Sequence, residues 1–127
     1  MKKSGLLNPA LSHAVARLGH TQTFVVADCG LPIPRDVEVI DLCVVFGIPR
    51  FQDVLKALMD EVVAEGGMAA VEVQGTEAER WISDRVLPLE LVPHEEFKRR
   101  VAEAQFVVRT GETTPYANVI VRCGVPF

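Results

Sequence analysis

A chain of 127 residues is the size of a single domain, so we expect one domain over residues 1–127. Acidic residues outnumber Lys and Arg by 17 to 13, which argues against nucleic-acid binding because that function requires clustered basic residues. The three cysteines form no CxxC pair, which argues against zinc and thioredoxin-like sites, and we expect buried thiols in a reducing cytoplasm. No apolar run has the length of a signal peptide or a membrane span, so we expect no membrane association.

Helix and strand signals alternate from the first residues onward. Asn8 and Pro9 predict a helix start, because Asn caps unpaired N–H groups and Pro suits the first helical position. Apolar residues then recur at helical spacing as far as Gly19, which predicts the helix end. The apolar runs over residues 23–27 and 37–46 predict two strands.

The middle of the chain predicts a helix from residue 51 to residue 62, with one apolar face and with Gly66-Gly67 closing it. A third strand is predicted over residues 68–73. Thr76 and Glu79 match the capping box that opens a short helix.

The last part of the chain predicts a strand over 87–92 and strands over 105–109 and 118–122. Between them, Pro93-His94-Glu95-Glu96 opens a predicted helix that continues through Val101, with acidic residues in its first turn. Six short strands interleaved with helices predict an α/β fold. We expect a three-layer α/β/α sandwich with a mixed, mostly parallel six-stranded sheet. Ligand sites in such folds gather at strand ends and in the adjoining loops.

The sequence lacks the common cofactor and hydrolase motifs. It contains no GxGxxG or Walker A loop, no GxSxG elbow and no HExxH. These absences argue against phosphate, dinucleotide and metalloprotease sites, so we expect neither a cofactor nor a metal.

Three histidines are the first candidates for chemistry. His13 lies inside the first helix and is expected to be a surface imidazole. His20 follows the predicted helix end, and His94 precedes the last helix. Each of these two fits either a helix cap or a functional site, and the local pattern leaves both alternatives open.

Several polar residues lie where predicted strands end. Asp28 interrupts an apolar run, so its carboxylate must find hydrogen-bond donors, either in the turn that follows or in a site. Tyr116 and Asn118 share a polar loop and could contact a sugar or a base, or the tyrosine could simply pack on the surface. Glu112 beside Arg109 predicts an exposed ion pair.

Taken together, four stretches of residues resemble the signatures of the D-ribose pyranases. They are Lys2-Lys3 with Leu7-Asn8, Arg17-Leu18-Gly19-His20-Thr21, Asp28-Cys29-Gly30-Leu31-Pro32-Ile33-Pro34 and Arg109-Thr110-Gly111-Glu112-Thr113-Thr114-Pro115-Tyr116-Ala117-Asn118-Val119-Ile120. The resemblance extends in order over nearly the whole chain and is weakest over residues 63–90. The related fucose mutarotases share the Gly-His and Tyr-x-Asn elements but are less similar around residues 28–34.

The resemblance implies an isomerase that interconverts the pyranose and furanose forms of D-ribose without a cofactor. It also implies the fold of that family and a ring-shaped homo-oligomer, typically a decamer of two pentamers, with sites between subunits. By position, His20 would be the general acid. Asp28, His94, Tyr116, Ala117 and Asn118 would bind the sugar.

These residue types suit the implied chemistry. Opening a cyclic hemiacetal requires a proton on the ring oxygen and removal of one from the anomeric hydroxyl, and an imidazole can do both near neutral pH. Neutral groups such as Tyr116 and Asn118 can hold several hydroxyls.

The spacing of two candidates predicts a site shared between chains. His20 and Asp28 bracket the strand at 23–27, and eight residues of extended chain span up to about 26 Å. One subunit can hardly close both side chains around a single pentose. We therefore expect His20 to meet the Asp28 of a neighbouring subunit.

Other functions remain open at this point. The nearest alternative is a mutarotase that acts on fucose or another monosaccharide with the same residues. A non-catalytic sugar-binding protein and a purely structural ring protein belong to different classes.

Overall fold

Six strands form one mixed sheet in the computed structural model, which describes all 127 residues. The strands are β1 (Thr23–Ala27), β2 (Glu38–Asp41), β3 (Ala64–Ala70), β4 (Leu89–Val92), β5 (Phe106–Arg109) and β6 (Val119–Cys123). Their order is β2-β5-β1-β6-β3-β4. Only β6 runs antiparallel to its neighbours, β1 and β3, while the other three pairings are parallel. The predicted mostly parallel sheet is therefore confirmed.

Helices cover both faces of the sheet. The helices are α1 (Pro9–Ala16), α2 (Phe51–Met59), α3 (Glu77–Ser83) and α4 (His94–Val101). The first three pack with Phe24 and Val26 of β1 in one apolar core. Helix α4 packs with Val25 and Ala27 in a second core. Alternate residues of β1 thus face opposite layers, as strand geometry requires, and the three-layer sandwich is confirmed. None of the helices combines the length and the apolarity that crossing a membrane demands.

The start of α1 follows its sequence signal. Asn8 Oδ1 accepts a hydrogen bond from the Leu11 N–H at 3.0 Å, and Pro9 occupies the first helical position. The helix ends at Ala16, and Leu18, although outside the helix, still packs against the core. A polar turn over residues 17–22 then leads into β1.

The strand predicted over residues 37–46 is wrong beyond Asp41. The Leu42 N–H donates to Arg109 O at 2.9 Å, and β5 ends at Arg109, so no partner strand continues alongside. Residues 44–48 instead form a small hairpin with a bridge between Val45 and Ile48. We call residues 44–48 the apolar hairpin because four of its side chains are large, hydrophobic and exposed, namely Val44, Val45, Phe46 and Ile48.

The prediction that Gly66-Gly67 closes the second helix is also wrong. Helix α2 ends at Met59, and both glycines lie within β3. A Cβ on Gly67 would lie 2.4 Å from Val86 Cγ1 and 2.7 Å from Ile120 O, so the strand packs too closely for any side chain. Gly67 is therefore required by tertiary packing, a reason that is invisible in local sequence.

The remaining elements are confirmed, with two differences in detail. Strand β3 begins earlier than predicted, and residues Val71–Val73 form a 3-10 turn. Helix α3 exists, but its predicted capping box does not, because Thr76 Oγ1 donates to Val73 O at 2.7 Å instead of capping the helix.

All three cysteines are free thiols. Cys123 is buried as predicted, and burial, aided by the nearby charge of Glu65, raises the pKa of its thiol to about 11. Cys29 and Cys43 are only partly buried, so the prediction is wrong for those two. Both follow strands at the edge where β1 and β2 end, and the loops there cannot bury them fully.

Candidate functional site

Asp28 and Asn118 form a reciprocal pair where β1 ends and β6 begins. The Asp28 N–H donates to Asn118 Oδ1 at 2.9 Å, and Asn118 Nδ2 donates to Asp28 Oδ2 at 2.8 Å. The Gly30 N–H donates to Asp28 Oδ1 at 2.9 Å, which confirms the predicted turn bond. The carboxylate is thus anchored in its turn and also coupled to a residue 90 positions away.

Tyr116 and Ala117 lead directly into this pair. The Asn118 N–H donates to Tyr116 O at 2.8 Å, and the Ala117 N–H donates to Thr114 O at 3.3 Å. Ala117 and Asn118 are buried, whereas Tyr116 is half-buried. The tight turn fixes the backbone of all three residues beside Asp28.

His94, the first residue of α4, packs its ring against Tyr116, which lies in the loop before β6. The two ring centroids are 5.2 Å apart and the planes meet at 80°, an edge-to-face arrangement. The backbone N–H of His94 donates to the carboxylate of Glu72 at 3.0 Å. Pro93, not His94, is the N-cap of α4, so the helix-cap alternative for His94 is wrong. His94 Nδ1 is buried without a hydrogen-bond partner, which leaves it available to a ligand.

His20 lies apart from this group, in the turn between α1 and β1. Its Nε2 is 2.9 Å from Glu65 Oε2, and Arg122 Nε is 3.0 Å from Glu65 Oε1. The imidazole therefore contacts Glu65, which is in turn paired with Arg122, and it does not cap α1. The side chain of His20 is 53% exposed, so it is open to an incoming group. His13, in contrast, is a surface imidazole, as predicted, and its ring is hydrogen-bonded to Arg17.

The sheet separates His20 from the Asp28 group. Strands β1 and β6 pair antiparallel, with Thr23 opposite Arg122 and Val26 opposite Val119. His20 and Arg122 therefore lie at one end of this pair, and Asp28 lies at the other end. The four steps from Thr23 to Ala27 alone cover about 13 Å. The structure thus brings together five of the six predicted site residues and leaves His20 at the opposite end.

The backbone is strained both beside His20 and within the Asp28 group. Thr21 and Tyr116 are the only non-glycine residues with positive φ, at 68° and 62°. Such conformations cost about 1–3 kcal/mol each and concentrate at functional sites. One of them follows His20 directly, and the other is itself a predicted site residue.

Glu112 is not the exposed partner of Arg109 that the sequence predicts. It is buried, and its Oε2 accepts from the Phe51 N–H at 3.1 Å while its Oε1 accepts from Thr114 Oγ1 at 2.9 Å. Burial raises the pKa of this carboxyl, but the bonds from Phe51 and Thr114 and the charge of Arg50 outweigh it and leave the pKa lowered. Arg109 pairs with Asp41 instead, at 3.6 Å.

A cavity of about 580 Å³ opens on the α4 side of the sheet, next to the turn that carries His20. Its lining includes Thr21, Thr23, Arg100 and Arg122, and none of the residues in the Asp28 group. No group of three or more His, Cys, Asp or Glu side chains is placed to hold a metal ion.

Sequence reasoning did not single out Glu65 or Glu72, which contact His20 and His94, and it predicted the wrong surroundings for Glu112. Glu65 is 45 positions from His20, and Glu72 is 22 positions from His94, so no local pattern connects them. The sequence did carry a signal for Glu112, because a carboxylate between two buried strands needs hydrogen-bond donors, by the same reasoning as for Asp28.

Comparison with known proteins places the chain in a family. The RbsD / FucU transport protein family matches residues 1–126. The chain belongs to this family. It is 64% identical to the D-ribose pyranase of Cutibacterium acnes over 127 residues and 61% identical to that of Corynebacterium glutamicum strain R over 128 residues, with full coverage of both partners in each case. The resemblance seen in the sequence is therefore confirmed.

Solved structures of the RbsD / FucU family share the fold. RbsD of Bacillus subtilis, solved in complex with D-ribose, is 43% identical, with a TM-score of 0.90 and full coverage of both chains. FucU of Bifidobacterium longum is 20% identical with a TM-score of 0.78, covering 95% of this chain and 96% of its own. The second likeness concerns the fold alone.

Proposed function

We propose that this chain is a D-ribose pyranase, an isomerase that interconverts the β-pyranose and β-furanose forms of D-ribose by acid–base ring opening and reclosure. The observation that carries the proposal is the 64% identity, over the full length of both chains, to a D-ribose pyranase. The reaction moves protons, breaks one ring C–O bond and forms another, with no change of oxidation state, so it requires no cofactor.

The Asp28 group is the proposed sugar-binding half of the site. Asp28 and Asn118 are held rigidly by their reciprocal bonds, and the Tyr116 hydroxyl and His94 Nδ1 add further polar contacts. Ala117 contributes its backbone in the same turn. An array of this kind can hold several hydroxyls at once, which is what selection of the C4 or C5 hydroxyl for reclosure requires.

His20 is the proposed general acid. It protonates the ring oxygen as the bond from that oxygen to the anomeric carbon breaks, and it can then take up the proton of the anomeric hydroxyl. General acid–base catalysis of this kind contributes about 100- to 10,000-fold.

Two subunits complete each site in this proposal. His20 and Asp28 lie at opposite ends of β1, so His20 serves the Asp28 group of a neighbouring subunit. The cavity beside His20 leaves room for a second chain to approach that face. A closed ring in which every subunit gives His20 to one neighbour satisfies this requirement, and a decamer of two pentameric rings is the proposed assembly. We place the protein in the cytoplasm, where three free thiols persist.

The apolar hairpin is the surface that we expect subunits to bury. Phe46 is 83% exposed and has three exposed apolar neighbours, an arrangement typical of an association surface. Phe46→Glu is expected to reduce the particle mass in light scattering, because a charge would have to be buried on assembly. Gln52→Glu, which adds the same charge on the exposed face of helix α2, is the control and should leave the mass unchanged. Equal masses for both variants would contradict this role of the hairpin.

Saturation-transfer NMR on equilibrated sugars tests the activity. We expect the wild-type protein to accelerate pyranose–furanose exchange of D-ribose, and the acceleration to disappear in His20→Ala. L-fucose is the matched comparison, since a fucose mutarotase would accelerate exchange in that sugar instead.

Two further outcomes would contradict the proposal. Protection against thermal unfolding by ribose with no change in exchange rate would indicate a sugar-binding protein without activity. No effect of ribose on either measurement would indicate a structural role.

A further inference from the structure

We infer that Glu65 is a positioning residue that holds the His20 imidazole through Nε2, so that Nδ1 is the nitrogen that exchanges the proton with the sugar. This inference rests on the proposed role of His20 as the general acid. Glu65 belongs to none of the sequence motifs that indicated the site.

The contact itself determines which ring nitrogen is free. His20 Nε2 lies 2.9 Å from Glu65 Oε2, within hydrogen-bond range. An ionised carboxylate can only accept, so Nε2 must carry the hydrogen in this contact. Nδ1 is then the unprotonated nitrogen of the neutral imidazole and the acidic N–H of the imidazolium. A second hydrogen-bonding group commonly selects the reactive nitrogen of a histidine in this way.

Arg122 holds the carboxylate in place. Its Nε lies 3.0 Å from Glu65 Oε1, so each carboxylate oxygen has its own partner. The side chain of Glu65 is only 32% exposed, less than those of His20 and Arg122, at 53% and 56%. Glu65 is therefore the least exposed of the three side chains and the one that contacts both others, so it is suited to orient them.

The backbone of the His20 turn is fixed independently of Glu65. The Gly19 N–H donates to Gln22 Oε1 at 2.8 Å, and the Thr21 N–H donates to Cys123 O at 2.9 Å. Thr21, a β-branched residue, is held at a φ of 68°, a strained conformation that this surrounding structure maintains. With the backbone fixed, the side-chain torsions of His20 are its remaining freedom, and the contact with Glu65 restricts them.

The proton balance assigns Nδ1 both transfers. The Nδ1–H of the imidazolium passes its proton to the ring oxygen, and that oxygen keeps the electron pair of the breaking C–O bond. The electrons of the anomeric O–H bond form the carbonyl, and the released proton returns to Nδ1. Nε2 keeps its hydrogen throughout, so Glu65 remains ionised and the imidazole does not rotate between the two steps.

Kinetics and NMR together test the inference. Glu65→Ala is expected to lower kcat about 10- to 100-fold with little change in KM, the range seen when carboxylates that orient metal-bound histidines are removed. Glu65→Gln should fall between Glu65→Ala and wild type, because His20 and Arg122 contact different oxygens of Glu65 and the amide replaces one of these oxygens with an NH2 group, which cannot accept. Glu103→Gln is the matched control: this carboxylate borders the same cavity but is paired with Arg100, and no loss is expected.

The tautomer of His20 gives a readout that activity cannot provide. Long-range ¹⁵N–¹H NMR on the wild-type protein should show the hydrogen on Nε2, and Glu65→Ala should show a mixture of both tautomers. Hydrogen on Nδ1 in the wild type would overturn the inference, as would unchanged kcat in Glu65→Ala while His20→Ala is inactive. An active His20→Ala would instead overturn the proposed role of His20, while the tautomer would still decide whether Glu65 orients the ring.

Discussion

His20→Ala is expected to slow catalysed ribose exchange about 100- to 10,000-fold, the range associated with loss of a general acid–base group. Asp28→Ala should also lose activity, because it removes the partner of Asn118 and one oxygen-rich contact for the sugar. The two variants differ in the half of the site that they damage. His20→Ala should retain ribose-induced thermal stabilisation, whereas Asp28→Ala should lose most of it.

Mixing the two variants tests the shared site directly. If His20 serves a neighbour's Asp28, an oligomer assembled from both variant chains contains some sites with both residues intact. Co-refolded or co-expressed mixtures should therefore recover part of the wild-type exchange rate measured by saturation-transfer NMR. A mixture no more active than either variant alone, with mixed oligomers verified by mass spectrometry, would contradict a site built from two chains.

Glu112→Ala is expected to destabilise the protein by about 1–3 kcal/mol, the cost of leaving buried hydrogen-bond donors without their acceptor. The N–H groups of Phe51 and Thr114 would lose their acceptor in the interior. Urea unfolding followed by the single tryptophan, Trp81, measures the loss, and its ring lies 6.4 Å from that of Phe51. Protein concentration must be matched, because assembly contributes to stability.

Glu38→Ala is the control for this loss. Glu38 is exposed on β2, and its side chain forms no hydrogen bond or ion pair, so a change within about 0.5 kcal/mol is expected. Equal unfolding midpoints for Glu112→Ala and Glu38→Ala would refute the structural role of Glu112.

The lowered pKa of Glu112 also predicts a pH dependence. Because the folded state holds this carboxyl below the ordinary value of 4.5, the unfolded state binds more protons as the pH falls. The stabilisation is therefore complete above pH 4.5 and is lost as the pH falls through the lowered pKa of the folded protein. Glu112→Gln lacks this group, so its stability should change less with pH over that range. Identical acid profiles for Glu112→Gln and wild type would show that another group is responsible.

Local signals predicted most of the elements, because they act over a few residues. The Asn8-Pro9 start of α1 and the apolar run of β1 required no knowledge of the rest of the fold. The errors arose where a distant partner decides the outcome. Strand β2 ends where its partner β5 ends, and Gly67 lies in a strand because Val86 and Ile120 leave no space for a side chain.

The site was predicted from the resemblance of its motifs, whereas its internal contacts were not. The position of Asp28 at the end of a strand indicated that its carboxylate needs hydrogen-bond donors. That Asn118 is one of these donors follows only from the pairing of β1 with β6. The contacts of His20 with Glu65 and of Glu112 with Phe51 join residues 45 and 61 positions apart. No periodicity or spacing argument connects residues at such separations.

The sequence by itself determined the fold class, the family and the residue types that the proposed reaction requires, because hydrophobic periodicity, capping residues and motifs are carried by short segments. Tertiary structure alone decided which of those residues share a site. The antiparallel pairing of β1 with β6 brings Asp28 to Asn118 and leaves His20 beside Glu65 at the other end. Strand pairing sets the distances between these side chains, and the strands can pair only when segments far apart in the chain have packed together.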